Sequence, residues 1–308
     1  MKFLTRARKT NEVIGIEFSP EGIALAHIIR LPTQLPLLKY CEFIPCGDDQ
    51  NPAELLKAKL SKLGLQKSDC RCVLSANTYQ LLLGESPKVP PEELVDALKW
   101  RIKDLIQFPV SDAAVDAFLL PEDSARGTSR MAYAVVAHKN VITQMIERIK
   151  ATQLALLSID IPEFALRNLA QACCDTKRGA AIVKLGQGGG SLQIVREGNL
   201  YLSRQFSINY NAGLLDDIPA DALVLELQRS LDYFERQLRQ SPPAAVYLCG
   251  ENVSPDKRTS EIKNSMATQI QLLDLEKGLQ LGSEVQEHSL ALCLLAIGAA
   301  LREDPVEV

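Results

Sequence analysis

Three histidines, one tryptophan and no apolar run long enough to span a bilayer set the first limits on what this 308-residue chain does. His27, His138 and His288 lie far apart, and none stands at the spacing of a metal site or in a catalytic motif. There is no nucleophile elbow, and the glycine-rich stretch LGQGGGSL lacks the Lys-Ser/Thr ending through which a Walker loop holds phosphate and magnesium. A net charge of −4 gives no basic face, which argues against nucleic acid as a partner. The most apolar run, SLALCLLAIGAAL at 289–301, falls short of the roughly 20 residues a spanning helix needs, so it reads as a buried helix.

Cysteine is not scarce, but its pattern is uninformative for metals. None of the eight forms a C-x-x-C pair or has a histidine at ligand spacing. Most lie in apolar segments (CRCVL, VYLCG, ALCLL), where a thiol behaves as a small hydrophobe, so reduced, buried cysteines and a reducing compartment are expected. The first ten residues, MKFLTRARKT, carry Lys2, Arg6, Arg8 and Lys9 without an apolar stretch after them, so they are no signal peptide. Two readings stay open for them. One is a solvated terminus; the other is attraction to an anionic membrane, worth at most about 4 kcal/mol for four charges.

What is present is an alternation of strand and helix signals. Ile14, Ile16 and Phe18 start a strand, followed by strands near 22–30 and 37–44. Asn51, Pro52 and Glu54 form a helix-start signature, and Gly64 stops that helix. Two short strands follow (CRCVLS, YQLLLG). Residues of about 86–155 differ in texture and read as an inserted subdomain. It holds a proline-bounded helix with Leu94, Ala97, Leu98, Arg101, Ile102 and Leu105 on one stripe, strands near 113–120 and 131–137, a loop (PEDSARGTSR) too polar to bury, and a helix over 139–153. Asp160, Pro162 and Glu163 then start a helix with a capping-box pattern. From Gly179 the chain begins again: strands near 180–185, 190–196 and 199–206, a long helix striped by Leu223, Leu227, Leu231, Phe234 and Leu238, two more strands and a closing helix.

Both halves therefore open with a three-stranded meander. An offset of 167 residues lays 13–25 over 180–192, with Gly22 opposite Gly189 and Leu25 opposite Leu192. This repeated order favours two like α/β lobes, 1–175 and 176–308, facing one another across a cleft.

Local stretches narrow the plan. In chain order, VIGIEFSPEGIALAHI, ALKWRIKDLIQFPV, SIDIPEFALRNLA, GAAIVKLGQGGGSLQIVREGNL, LQRSLDYFERQL with AAVYLCGE, and LLAIGAALR resemble the PilM-type proteins, cytoplasmic members of type IV pilus machines. Within that family the resemblance is to the counterpart in the mannose-sensitive haemagglutinin (MSHA) pilus system. It implies an actin-like fold: α/β, two-lobed, a duplicated ribonuclease H-like plan with an inserted α+β subdomain. In that superfamily two β-hairpin loops hold ATP, an Asp in each organises a hydrated metal ion, and a Gly pair packs beneath the adenosine.

This chain departs from those positions. Glu17 takes the first Asp position, Ser19 replaces a Gly that lets the backbone approach phosphate, and Pro20 removes an N–H donor. Glu17 either faces a metal or ends its strand in local polar contacts. In the second loop Gly186, Gly188, Gly189, Gly190 and Ser191 can nest around phosphate, but Lys184 stands at the Asp position, where a cation repels a divalent metal. Glu251 follows Gly250 where a second Gly is expected. Glu226 and Arg229 either face a nucleotide or form a solvated helix face. No residue is nominated as catalytic or as a metal ligand, and no cofactor is expected, with ATP and Mg²⁺ kept as the alternative.

The remaining expectation is a partner surface. PilM-type proteins bind the cytoplasmic N-terminal tail of a PilN-like inner-membrane protein beside the inserted subdomain, and the resemblance implies the same role here. The chain is then a cytoplasmic adaptor held at the inner membrane by protein contacts, with an ATP-binding switch or slow ATPase as the second reading. Trp100 lies about 240° around its helix from Leu94, near Lys103, so it is either a binding anchor or a filler of the join to the main lobe.

Overall fold

A computed structural model describes residues 11–124, 130–186, 188–208, 220–251, 253 and 257–303. The basic first ten residues and the centre of the 121–130 loop lie outside the described residues. The chain opens with an antiparallel meander, β1 (Glu12–Ser19), β2 (Gly22–Ile29) and β3 (Leu37–Pro45). All of β2 except its last residue is buried, as required of a strand covered on both faces. Helix α1 (Pro52–Leu63) follows, capped where its sequence indicates: the Asn51 side chain accepts the Ala53 N–H at 2.9 Å, and Gly64 closes the far end at φ 69°.

Next come β4 (Asp69–Val73), β5 (Tyr79–Glu85), α2 (Leu94–Ile102), β6 (Ala113–Leu119), β7 (Met131–His138), α3 (Lys139–Thr152), β8 (Ala155–Asp160) and α4 (Pro162–Cys173). The second half supplies β9 (Ala180–Gly186), β10 (Gly189–Arg196), β11 (Asn199–Ser207), α5 (Ala220–Gln237), β12 (Ala245–Gly250), α6 (Lys257–Ser265) and β13 (Gln269–Leu272). A two-residue strand β14 (Gln280–Leu281) and the short helices α7 (Glu287–Leu292) and α8 (Leu294–Ala300) complete the chain.

The strands form three sheets, ordered β14-β3-β2-β1-β4-β8, β11-β10-β9-β12-β13 and β5-β7-β6. In the first two an antiparallel meander passes into parallel strands in the same sequence, β3-β2-β1-β4-β8 and β11-β10-β9-β12-β13, so the duplication read from the sequence is a duplication of topology. Ser19 pairs with Gly22 and Gly186 with Gly189, which places the two hairpin turns at the 167-residue offset.

The main body is five layers deep. Leu56 and Leu60 of α1 with Met145 and Ile149 of α3 cover the outer face of the first sheet. Helices α4 and α8 lie between the two sheets, where Leu166, Leu169 and Ile297 are fully buried, each worth about 2–3 kcal/mol of apolar burial. Leu223, Leu227, Leu231 and Phe234 of α5 cover the outer face of the second sheet. The central layer is tight because two glycines permit it. A Cβ on Gly15 would stand 1.7 Å from the Ala296 carbonyl oxygen, and one on Gly298 would stand 2.2 Å from that of Ala165.

Several expectations are corrected. β5 pairs with β7, so the third sheet begins at Tyr79, ahead of residue 86, and α3 packs on α1 and the first sheet. β14 and α8 return to the first lobe, so residue 176 divides the chain but not the packing. The apolar run 289–301 is two helices broken at Cys293. The stripe on α2 ends at Ile102, because the helix ends there and Leu105 is exposed. Asp160 ends β8 and does not cap α4, whose cap position is Ile161. Nor is the 121–130 loop wholly solvated: Ser124 is buried.

Candidate functional site

The two hairpins, β1–β2 and β9–β10, are equivalent in the two repeats. Glu17 and Lys184 occupy the same position in the two repeats, each half-buried, each two residues before its turn. Burial pushes the Glu17 carboxyl above the ordinary carboxylate range; the positive charge of Lys184 opposes that shift, and Glu21 adds to it. Burial likewise raises the Cys249 thiol to about 12, again opposed by Lys184, whose strand neighbour it is.

Ser19 is spent on its own turn, its hydroxyl donating to the Gly22 carbonyl at 3.4 Å. The glycines of the second loop divide by role. Gly189, at φ 153°, and Gly190 are forced by packing, because a Cβ would meet Phe206 O at 2.1 Å in the first and Lys184 O at 2.7 Å in the second. Gly250, at φ 124°, is required for the same reason against Leu185 O at 2.1 Å. At Gly186 and Gly188 no atom of the described residues lies within 4 Å of where a Cβ would stand. Ser191 is half-buried beside Lys184 on the paired strand, and Glu251 is exposed. Glu226 and Arg229 are engaged with each other at 2.7 Å on α5.

Trp100 does not fill a join. It is 78% exposed on the outer side of α2, whose inner side buries Leu94, Leu98 and Ile102 against Ala132, Ala134 and Val136 of β7. Lys103 and Leu105 are exposed just beyond it, so a small mixed patch caps this end of the insertion.

The sequence reading missed a buried acid. Glu163, 2% exposed, turns inward from the first turn of α4. The Tyr79 hydroxyl donates to its Oε2 at 2.6 Å and Ser203 of β11 reaches its Oε1 at 3.4 Å. Burial raises its carboxyl, against the bonds from Tyr79, its own backbone and Ser203. Burial also drives Tyr79 upward, and Tyr133, which accepts the Ser203 N–H at 3.1 Å, to about 12. A helix-start Glu followed by apolar residues was the only local signal, and it is the same for a solvated cap.

The raised Glu163 value has a signed consequence. In the window above the ordinary glutamate value and below the folded one, the folded state holds a proton that the unfolded chain has released. Stability is therefore lost as pH rises through that window. Glu163→Gln keeps the shape and removes the titration. Urea unfolding between pH 4.5 and 8 is expected to show the variant gaining on the wild type as pH rises; parallel curves would contradict this account.

The other polar candidates are structural. His27 is buried against Glu12 at 3.0 Å, and the His138 ring caps α3 by accepting the Asn140 N–H. All eight cysteines are free thiols. Among the described residues no three His, Cys, Asp or Glu side chains gather where they would hold a metal ion, and no helix is long and apolar enough to cross a membrane.

No family model matches the chain, and no curated protein matches it in sequence. Solved structures do. A PilM–PilN type IV pilus biogenesis complex aligns over 94% of this chain and 97% of its own, at 19% identity with a TM-score of 0.72. The cytoplasmic domain of EpsL, an inner-membrane component of the type II secretion system of Vibrio cholerae, aligns over 95% and 96%, at 12% identity with a TM-score of 0.52. With two topologically equivalent lobes around a cleft and a sheet inserted in the first, the chain has the actin-like two-lobe fold and shares it with these proteins over nearly its whole length.

Proposed function

We propose that this chain is a cytoplasmic scaffold of a type IV pilus assembly platform, of the MSHA type, that receives the N-terminal tail of a PilN-like inner-membrane protein. The observation that carries the reading is the fold correspondence with the PilM–PilN complex, which runs through the insertion as well as both lobes. A short tail does not fold alone and takes its order from a prebuilt surface with a few anchors. On the insertion, Trp100 and Lys103 are exposed and close in sequence, an aromatic anchor beside a cation.

The cleft chemistry agrees with a scaffold. The donor set does not fit a hydrated divalent cation, because the position equivalent to Glu17 in the second hairpin is a lysine and the first turn contains Pro20 in place of an N–H donor. No hydrolytic step follows from these residues. The glycine-rich second hairpin and its lysine favour, as a second reading, a phosphate held by backbone N–H groups and Lys184 without metal, the basis of an ATP-binding switch.

Purified protein incubated with ATP and Mg²⁺ is expected to retain no nucleotide through gel filtration and to release no phosphate above a protein-free control. Phosphate release abolished by Glu17→Ala would overturn the scaffold reading. Retained nucleotide lost in Lys184→Ala would establish the switch.

A further inference from the structure

The insertion reaches past its own lobe. β11 is an edge strand of the second sheet, and an edge leaves outward backbone groups in need of cover. Here the cover comes from the insertion. Tyr133 of β7 accepts the outward Ser203 N–H at 3.1 Å. Two residues along, the Tyr201 hydroxyl donates to Asp123 Oδ1 at 3.0 Å, and Arg196 forms an ion pair with the same carboxylate. Gln240, buried behind them, donates to the Asp123 backbone carbonyl at 2.6 Å and accepts from Arg196 at 3.0 Å. Arg196 also lies over the Tyr201 ring, 4.5 Å from its centroid. Asp123 belongs to the segment after β6, whereas Arg196, Tyr201 and Gln240 all belong to the second lobe.

The insertion is tied as firmly to the first lobe. Tyr79 at the start of β5 bonds Glu163 of α4, and the ring of Phe118 of β6 packs tilted against that of Phe164, centroids 4.8 Å apart. Glu163 itself touches Ser203, so the two sets of contacts meet at one strand. Opening the cleft would pull Asp123 from Arg196, Tyr201 and Gln240, and uncover a buried carboxylate and the edge of β11, in a single movement.

We propose that the insertion is a clasp: through Asp123 and Tyr133 it fastens the edge of the second lobe to the first and holds the cleft at one width without a bound ligand. The inference rests on these contacts alone and does not depend on which partner docks at α2. The clasp makes local opening the rare event, and hydrogen exchange reads such opening residue by residue.

The test is amide exchange of the full chain, comparing wild type with Asp123→Asn and Arg196→Gln. Both variants are expected to speed exchange of Ser203 and its β11 neighbours tenfold or more, leaving Ile14 and Ile16 of the central sheet unchanged. The double variant is expected to add little, because both changes break the same contact. Wild-type protection of β11 in both variants would overturn the proposal, as would a uniform rise that includes β1, which would mark a general loss of stability. Tyr133→Phe supplies the second arm. It removes the acceptor of the Ser203 N–H and leaves the ring in place, and unaltered exchange at Ser203 in this variant would equally count against the clasp.

Discussion

Trp100→Ala is expected to weaken binding of a PilN-like N-terminal peptide by about 2 kcal/mol or more, roughly thirtyfold, and to leave the melting temperature unchanged. The indole is 78% exposed, so its removal makes no cavity, and the helix beneath it is held by Leu94, Leu98 and Ile102. Leu98→Ala is the contrasting variant on the same helix: it opens a void against β7 and lowers the melting temperature. As the chain's sole tryptophan, Trp100 is also its own reporter. Docking of the tail over it is expected to shift indole emission to shorter wavelength. An unshifted spectrum with unchanged affinity in Trp100→Ala would move the docking surface off α2 and leave the scaffold reading to stand or fall on the peptide binding anywhere.

Arg302→Ala is expected to cost about 3 kcal/mol of stability, within the range for breaking a buried ion pair from one side. Asp160 is 2% exposed at the end of β8, and Arg302, just past α8, pairs with it while Arg71 and Arg167 stand near enough to act on its charge. Burial raises the Asp160 carboxyl and the arginines oppose that rise. Without Arg302 the carboxylate is left in low dielectric with less compensation. A group with a raised folded value loses stability as pH rises through that value, so the deficit is expected to be larger at pH 8 than at pH 5. Asp160→Asn in the Arg302→Ala background removes the stranded charge and is expected to recover part of the loss. Equal urea midpoints for wild type and Arg302→Ala at pH 8 would show that the pair contributes nothing net.

These effects differ in how far they could be read from the chain itself. The paired hairpins were legible because each is a local event. Alternation of apolar residues sets a strand, two turn residues reverse it, and a repeated Gly at one offset marks the duplicate. The cap at Asn51 was legible for the same reason, since its partner is two residues away. The substitutions at Ser19, Lys184 and Glu251 were visible as departures from a pattern, and the structure shows Ser19 turned to its own turn and the charge of Lys184 acting on Glu17.

Asp160 and Glu163 show the opposite case. Both occur in a helix-start pattern, and an acid there serves equally well in water or under a second lobe. Their partners Arg302, Tyr79 and Ser203 lie 142, 84 and 40 residues away, distances at which no local periodicity carries information. Helical geometry likewise gave the angle of Trp100 from Leu94 but not which side of α2 the third sheet would cover. The sequence by itself determined where strands, turns and helix caps fall, because short-range sterics and hydrogen bonds decide those. Only the tertiary structure decided that β14 and α8 return to the first lobe, that the insertion spans both lobes, and which charges are buried, because burial is set by what distant segments bring to a face.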